Sequence, residues 1–398
     1  MVSTSWHRQP TCVPHILPIA HSNLLRHCHA PKTSSFAMRT HQRTTLAFAC
    51  ILAPAVGYIC NALVPHTYEE AWNAYPPLRD AIDAIKGQAI ATWHTDRGTS
   101  ELEALVAQCD EDDDAVPAIV LYGLPGKDCA GEWSSGGTNT NADQYRTWVD
   151  AFTQTIGDRE IVLVLEPDAV GLLSTNDCAW ANDYLPNLQV ALELLTTQSP
   201  NAHVYVDVAS WSNQAKAIDV LNDLRAYGLG GLSLNTANYK ATDDLYAICD
   251  AYAEATDGLH CILDTSRNYN GSPHGEWCNA RSAGIGAPPT DWVDNDNVDY
   301  LLWIKVPGES DGECTHAGRT DDAMAGPAAG LFFPEAFEEM WNKGYFVQEA
   351  QQPGVWSDLN AAPERVTTAN DAVWRPSSPA PNMTFTPQPT RTVLVLLK

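Results

Sequence analysis

The chain has 398 residues, 44% of them apolar, which suits one large domain or two ordinary ones. A formal net charge of −26 at pH 7 speaks against nucleic acid or an anionic membrane surface as a partner and fits a neutral substrate. The charge is unevenly placed: no Asp or Glu occurs before Glu69, while Arg8, Arg26, Lys32, Arg39 and Arg43 all do. Such a break separates a different kind of segment from the folded body.

Within that segment, residues 38–62 read as a secretory signal. Arg39 and Arg43 precede an apolar run beginning at Leu46, and small residues follow up to Ala62. Residues 1–37 then form an upstream extension. Pro54 and Gly57 interrupt the run, which favours a cleaved signal over a membrane anchor. A catalytic body is expected over residues 63–346 and a Pro-rich, linker-like tail over 347–398. The chain is expected to be secreted and extracellular, and monomeric.

Seven runs rich in β-branched and aromatic residues recur through the body, at 89–94, 118–124, 160–166, 204–209, 231–236, 258–266 and 298–306. Most are continuously apolar, as strands buried on both faces should be. Segments with helical periodicity lie between them at 143–156, 181–197, 213–227 and 242–255. Strand, helix, strand at this spacing predicts βαβ units and a parallel sheet. Polar residues gather where the strands end: Asp128, Asp168, Asp207, Asn235, Asn238, Asp264, Arg267, Lys305, Glu309 and Asp311. A barrel brings all such ends to one mouth, whereas an open sheet scatters them. The α/β fold expected is therefore a distorted seven-stranded parallel (β/α) barrel with a single catalytic domain.

Asp128 and Asp168 end adjacent strands, so one can stay protonated while the other ionises. Hydrolysis of a glycosidic bond requires that separation. A lone strand-end Asp is as often a helix cap. Eleven cysteines without zinc-ligand spacing predict disulfides rather than metal. Cys129–Cys178 and Cys278–Cys314 are the expected bonds, with Cys249–Cys261 a third, and Cys109 is left as the free thiol. No cofactor and no metal are expected, and no P-loop occurs.

Six segments together resemble glycoside hydrolase family 6, the cellulases that fold as a distorted seven-stranded barrel and invert the anomeric centre. They are Tyr122-Gly-Leu-Pro-Gly-Lys-Asp-Cys129, Leu165-Glu-Pro-Asp168, Asn235-Thr-Ala-Asn-Tyr239, Asp264-Thr-Ser-Arg-Asn268, Glu276-Trp-Cys-Asn279 and Trp303-Ile-Lys-Val-Pro-Gly-Glu-Ser-Asp-Gly312. The resemblance implies Asp168 as general acid, with Asp128 raising its pKa and helping to hold the water. It implies Tyr122 as the tyrosine that favours distortion of the sugar, and Asp311 as the residue proposed for the base. Ser135 resembles the serine that holds the attacking water, with Ser134 the alternative because the loop carries one extra residue. Trp93 and Trp277 resemble tryptophans on which glucose rings stack; Lys305 and Glu309 resemble residues that grip the sugar. Asp207, Asn235, Asn238 and Trp211 complete the implied substrate contacts. Ser210 departs from the family, which usually has a histidine there, and this makes Trp211 less secure as a platform.

The activity implied is inverting hydrolysis of internal β-1,4-glucosidic bonds in cellulose or a related β-glucan. Short intervals after Asp128 and Asp311 favour the endo-acting form over an exo-acting cellobiohydrolase. A non-catalytic glucan-binding protein on the same scaffold is the alternative of another class, and the intact acids argue against it.

Overall fold

Seven parallel strands follow one another across a single curled sheet in their order along the chain. They are β1 (Thr92–Thr95), β2 (Ala118–Tyr122), β3 (Ile161–Leu165), β4 (Ala202–Asp207), β5 (Gly231–Leu234), β6 (His260–Asp264) and β7 (Val298–Leu302). This is a computed structural model, and it describes residues 58–60, 63–98, 101–111, 115–131 and 133–355. All of these belong to one compact unit.

Side-chain alternation explains why these runs are buried on both faces. On β2 and β3, Ile119, Leu121, Leu163 and Leu165 pack outward against the helices. Val120, Val162 and Val164 pack inward with Tyr205, Ile262, Tyr300, Leu302 and Ile304. The helix Ala142–Ile156 shows the complementary logic. Its Tyr145, Val149, Phe152 and Ile156 recur on one buried face, the Asn141 side chain accepts the Gln144 N–H, and Gly157 ends it at a φ of 60°.

The barrel is distorted because it barely closes. β1 and β7 are not paired along their length; they meet at one parallel bridge, Ile90 with Trp303, where the Ala91 N–H donates to the Trp303 carbonyl at 2.8 Å. The Trp93 indole adds a second tie to the Ile304 carbonyl, also at 2.8 Å. The C-terminal strand ends therefore face a mouth with a seam between the β1 and β7 sides.

The body reaches beyond the limits expected from sequence. Tyr58–Ile59 pairs with Ala115–Val116, and Cys60 is bonded to Cys109, which is therefore not a free thiol. At the other end, Val355 is buried; its N–H donates to the Asn342 side chain at 2.7 Å, and the Trp341 indole donates to the Pro353 carbonyl at 3.1 Å. Hydrophobic periodicity misses both additions because each is only two or three residues of pairing. The upstream extension, residues 38–57 of the expected signal segment and the Pro-rich tail after Val355 lie outside the described residues, whereas Tyr58, Ile59 and Cys60 of that segment are part of the body.

Candidate active site

Six non-glycine residues adopt left-handed backbone at the C-terminal strand ends: Asp128, Glu166, Asp168, Ala209, Asn235 and Ala237. This conformation is costly for a residue with a Cβ, so it persists only where surrounding groups impose it. Here buried carboxylates do so. Glu166 accepts the Gly123 and Leu124 N–H groups and the Tyr145 hydroxyl, at 2.9 to 3.1 Å. Asp207 takes the Asp168 N–H at 2.6 Å and the Thr236 hydroxyl at 2.7 Å. Asp264 gathers the N–H groups of Ala237, Ser266, Ile304 and Lys305. The turn carrying Asp168 is thus held by strand β4.

Above these anchors lies a cleft of about 700 Å³ lined by Trp93, Tyr122, Asp128, Ser134, Asp168, Trp211, Asn238, Trp277, Lys305, Glu309 and Asp311, among others. Burial raises the pKa of the Asp168 carboxyl, and the nearby Asp128 charge raises it further. Burial also raises Asp128, against hydrogen bonds from the Ser134, Trp133 and Gly131 N–H groups. Burial and then both acids push the Tyr122 phenol well up, so it stays protonated.

Asp311 has the opposite character. Burial alone would raise its pKa, but the Arg267 and Lys305 charges, the Asn279 N–H and the Tyr239 hydroxyl outweigh it, and the carboxyl is lowered. Arg267 donates to both its oxygens at 2.8 and 2.9 Å, Tyr239 at 2.7 Å and Asn279 at 2.9 Å. Lys305 stands 3.9 Å from Glu309, whose other oxygen accepts the Thr67 hydroxyl at 2.9 Å.

Three expected contacts move on inspection of their surroundings. Asp207 and Asn235 are fully buried and do not line the cleft. Asp207 positions Asp168, and Asn235 donates to the Asp264 carbonyl at 2.8 Å while accepting the Lys240 N–H at 2.9 Å. Ser135 is exposed and outside the lining, whereas Ser134 lines the cleft and donates its N–H to Asp128. Trp211 is 42% exposed at the cleft wall, its ring lying over Gly171, where a Cβ would stand 3.0 Å from it.

Sequence reasoning missed the Asp96–Lys127 pair. Lys127 Nζ reaches Asp96 Oδ1 at 2.6 Å, both side chains are buried, and Asp96 Oδ2 accepts the Asn139 N–H at 2.7 Å. Together they fasten the β1 and β2 loops. Gly137 sits against the pair so closely that a Cβ would collide with both partners. An Asp directly after a strand, facing a Lys beside Asp128, was the available signal. Glu276 was also unassigned: it accepts the Trp277 and Cys278 N–H groups, Arg319, and the Thr320 N–H and hydroxyl, and so holds the backbone that carries Trp277.

Cys129–Cys178, Cys249–Cys261 and Cys278–Cys314 are bonded alongside Cys60–Cys109. Among the described residues no cluster of His, Cys, Asp and Glu could hold a metal ion.

A curled seven-stranded parallel sheet with carboxylates and tryptophans at its C-terminal mouth defines the class of protein. A sequence model described as "Glycosyl hydrolases family 6" matches residues 62–344, well over half the chain, and the protein belongs to that family. Endoglucanase A of Cellulomonas fimi is 38% identical over 226 residues, 56% of this chain and 46% of the relative. A probable exoglucanase of Podospora anserina is 31% identical over 261 residues, 56% of this chain and 59% of the relative. The chain thus spans about half the length of these curated relatives. Among solved structures, the endoglucanase Cel6 of Mycobacterium tuberculosis, in complex with methyl-cellobiosyl-4-deoxy-4-thio-β-D-cellobioside, superposes with a TM-score of 0.63 at 28% identity. That match covers 74% of this chain and 98% of the other.

Proposed function

We propose that this protein hydrolyses internal β-1,4-glucosidic bonds of cellulose or a related β-glucan with inversion, Asp168 being the general acid. The observation that carries the reading is the state of Asp168. It is held at the cleft wall by Asp207, and burial and then the Asp128 charge raise its pKa to about 7. A carboxylic acid in that state protonates the leaving glycosidic oxygen at a pH where an ordinary Asp would be ionised.

The second acid acts through water. Of the two candidates, Asp311 is committed to Arg267, Tyr239 and Asn279 and its lowered pKa makes it a weak base. Asp128, with its raised pKa and the adjacent Ser134, is the better acceptor for the water's proton. Trp93, Trp211 and Trp277 supply platforms for the apolar faces of glucose rings, and Lys305, Glu309 and Asn238 the polar grip. The partner is a neutral polysaccharide. Four disulfides suit secretion into an oxidising medium, and no helix among the described residues is long and apolar enough to cross a membrane.

Relatives named exoglucanase as well as endoglucanase make cellobiose release from chain ends the second reading. Proton NMR of products from a soluble β-1,4-glucan, with parallel viscometry, decides both questions. The expected result is α-anomer first, with viscosity falling much faster than reducing ends appear. β-Anomer first would overturn the mechanism. Cellobiose with little loss of viscosity would overturn only the internal mode.

A further inference from the structure

Glu309 lines the cleft, but the side chain that holds it comes from outside the barrel. The Thr67 hydroxyl donates to Glu309 Oε1 at 2.9 Å, across a sequence separation of 242 residues. Thr67 is buried in the first turn of the helix His66–Ala74, upstream of β1. The next residue reaches the same loop: the Tyr68 hydroxyl donates to the Pro307 carbonyl at 2.9 Å, and its ring meets Phe332 edge to face at 6.3 Å. On the loop's other side, Glu309 bridges Phe332. There the Ser310 N–H donates to the Leu331 carbonyl and the Phe333 N–H to the Gly308 carbonyl, both at 2.8 Å. The loop backbone is thus fixed from two sides, and Thr67 fixes the carboxylate it carries.

That carboxylate is kept short of its nearest cation. Lys305 Nζ stands 3.9 Å from Glu309 Oε2, beyond hydrogen-bonding reach, and turns instead towards the Ser310 carbonyl at 3.4 Å. An ammonium and a carboxylate free to meet close to about 2.8 Å, and the pair then has less to offer a ligand. Burial raises the Glu309 pKa, while the Lys305 charge, the Thr67 hydroxyl and the His66 charge oppose the rise. Thr67 therefore competes with Lys305 for the same carboxylate. The gap left between Nζ and Oε2 suits one hydroxyl group, which donates to the carboxylate and accepts from the ammonium.

We propose that Thr67 is a positioning residue for sugar binding: its hydroxyl holds Glu309 apart from Lys305, so that the two share a hydroxyl of the glucan instead of pairing with each other. The proposal rests on the glucanase reading and deepens it. A segment that precedes the barrel in sequence sets the polar grip in its mouth.

The test compares wild type with T67V, which keeps the shape and removes the hydroxyl, and with T67S, which keeps the hydroxyl. Calorimetric titration with a soluble cello-oligosaccharide is expected to show affinity about ten-fold weaker in T67V, the worth of one hydrogen bond to a charged group, and near wild type in T67S. In K305M, where no ammonium is left for Glu309 to close on, adding T67V should cost little more. A merely structural role for Thr67 would instead weaken both backgrounds equally, and that result overturns the proposal. Crystal structures without sugar read the placement directly: in T67V the Lys305–Glu309 separation should close to hydrogen-bonding distance. An unchanged separation overturns the holding role, whatever the protein binds. Closure with unchanged affinity overturns the shared hydroxyl. Failure of the wild type to bind any β-glucan oligosaccharide overturns the glucanase reading, while the crystal comparison still judges Thr67.

Discussion

Three neighbours with separate tasks fit Asp168 for the proposed role of acid: Asp207 holds its backbone, burial withholds water, and Asp128 supplies negative charge. Asp168→Asn is expected to cut hydrolysis of unactivated glucan by about 10²–10⁴-fold, the usual worth of general acid catalysis. Binding of cello-oligosaccharide should persist, and calorimetric titration alongside kinetics checks both. Asp128→Asn tests the coupling between the two acids. Removing the Asp128 charge lowers the pKa of Asp168, so Asp168 ionises earlier as pH rises. The alkaline limb of the kcat/KM profile should therefore move to lower pH, beyond any fall in rate. A limb that stays in place would separate the two acids electrostatically.

At the scale of elements, every strand end feeds a loop that is tied to another loop rather than left to itself. Cys129–Cys178 joins the Asp128 loop to the segment after Asp168 across a sequence separation of 49 residues, and Cys278–Cys314 spans 36. Closing loops of these lengths restricts the unfolded chain by about 4 kcal/mol each on the chain-entropy account. Replacing Cys278 and Cys314 together by Ser should thus lower unfolding free energy by a few kcal/mol. It should also weaken sugar binding at Trp277, whose loop loses its staple. Denaturant unfolding and oligosaccharide titration of the double variant measure the two effects. Equal stability with and without the bond would show that the loop is held by Glu276 alone.

The whole molecule is strongly acidic, and several of its carboxyls titrate out of their usual range. Burial pushes Glu166 from 4.5 to about 7, and it also raises Asp168, Asp207, Asp264 and Glu309. A group raised in the folded state binds more protons there than in the unfolded chain. Its contribution is therefore complete below the unfolded pKa and is lost as pH rises through the folded one. Asp311 and Glu276 are lowered, so their contribution is lost as pH falls below the ordinary carboxyl range. The two trends place maximal stability on the acid side of neutrality, near the ordinary carboxyl values, with a decline as pH rises towards 7 and beyond. Self-repulsion at a net charge of −26 acts in the same direction. Thermal melts across pH 4 to 9 test this. Glu166→Gln should melt lower overall but decline less between pH 4.5 and 7, because one titrating group has gone.

The seven strands and their order were legible because strands buried on both faces leave long apolar runs, and helices between them force a parallel sheet. The positions of Asp128, Asp168 and Asp311 were legible for a related reason: polar residues that interrupt such runs gather where strands end, whereas Trp93 and Trp277 were singled out only by the family resemblance. Which of the strand-end residues face the cleft was not legible. Asp207 and Asn235 occupy strand ends like the others, yet each spends its side chain on backbone groups of neighbouring turns, and only three-dimensional placement separates that use from contact with a ligand. The same holds for Ser134, which lines the cleft, against Ser135, which is exposed outside it. The Cys60–Cys109 bond could not be read because Cys60 lies in what looks like a signal-peptide cleavage zone. Residue types and their order along the chain determined the sheet and the chemistry at its mouth. Tertiary structure decided which carboxylates hold others in place and which residues face the cleft, because each depends on distances between loops far apart in sequence.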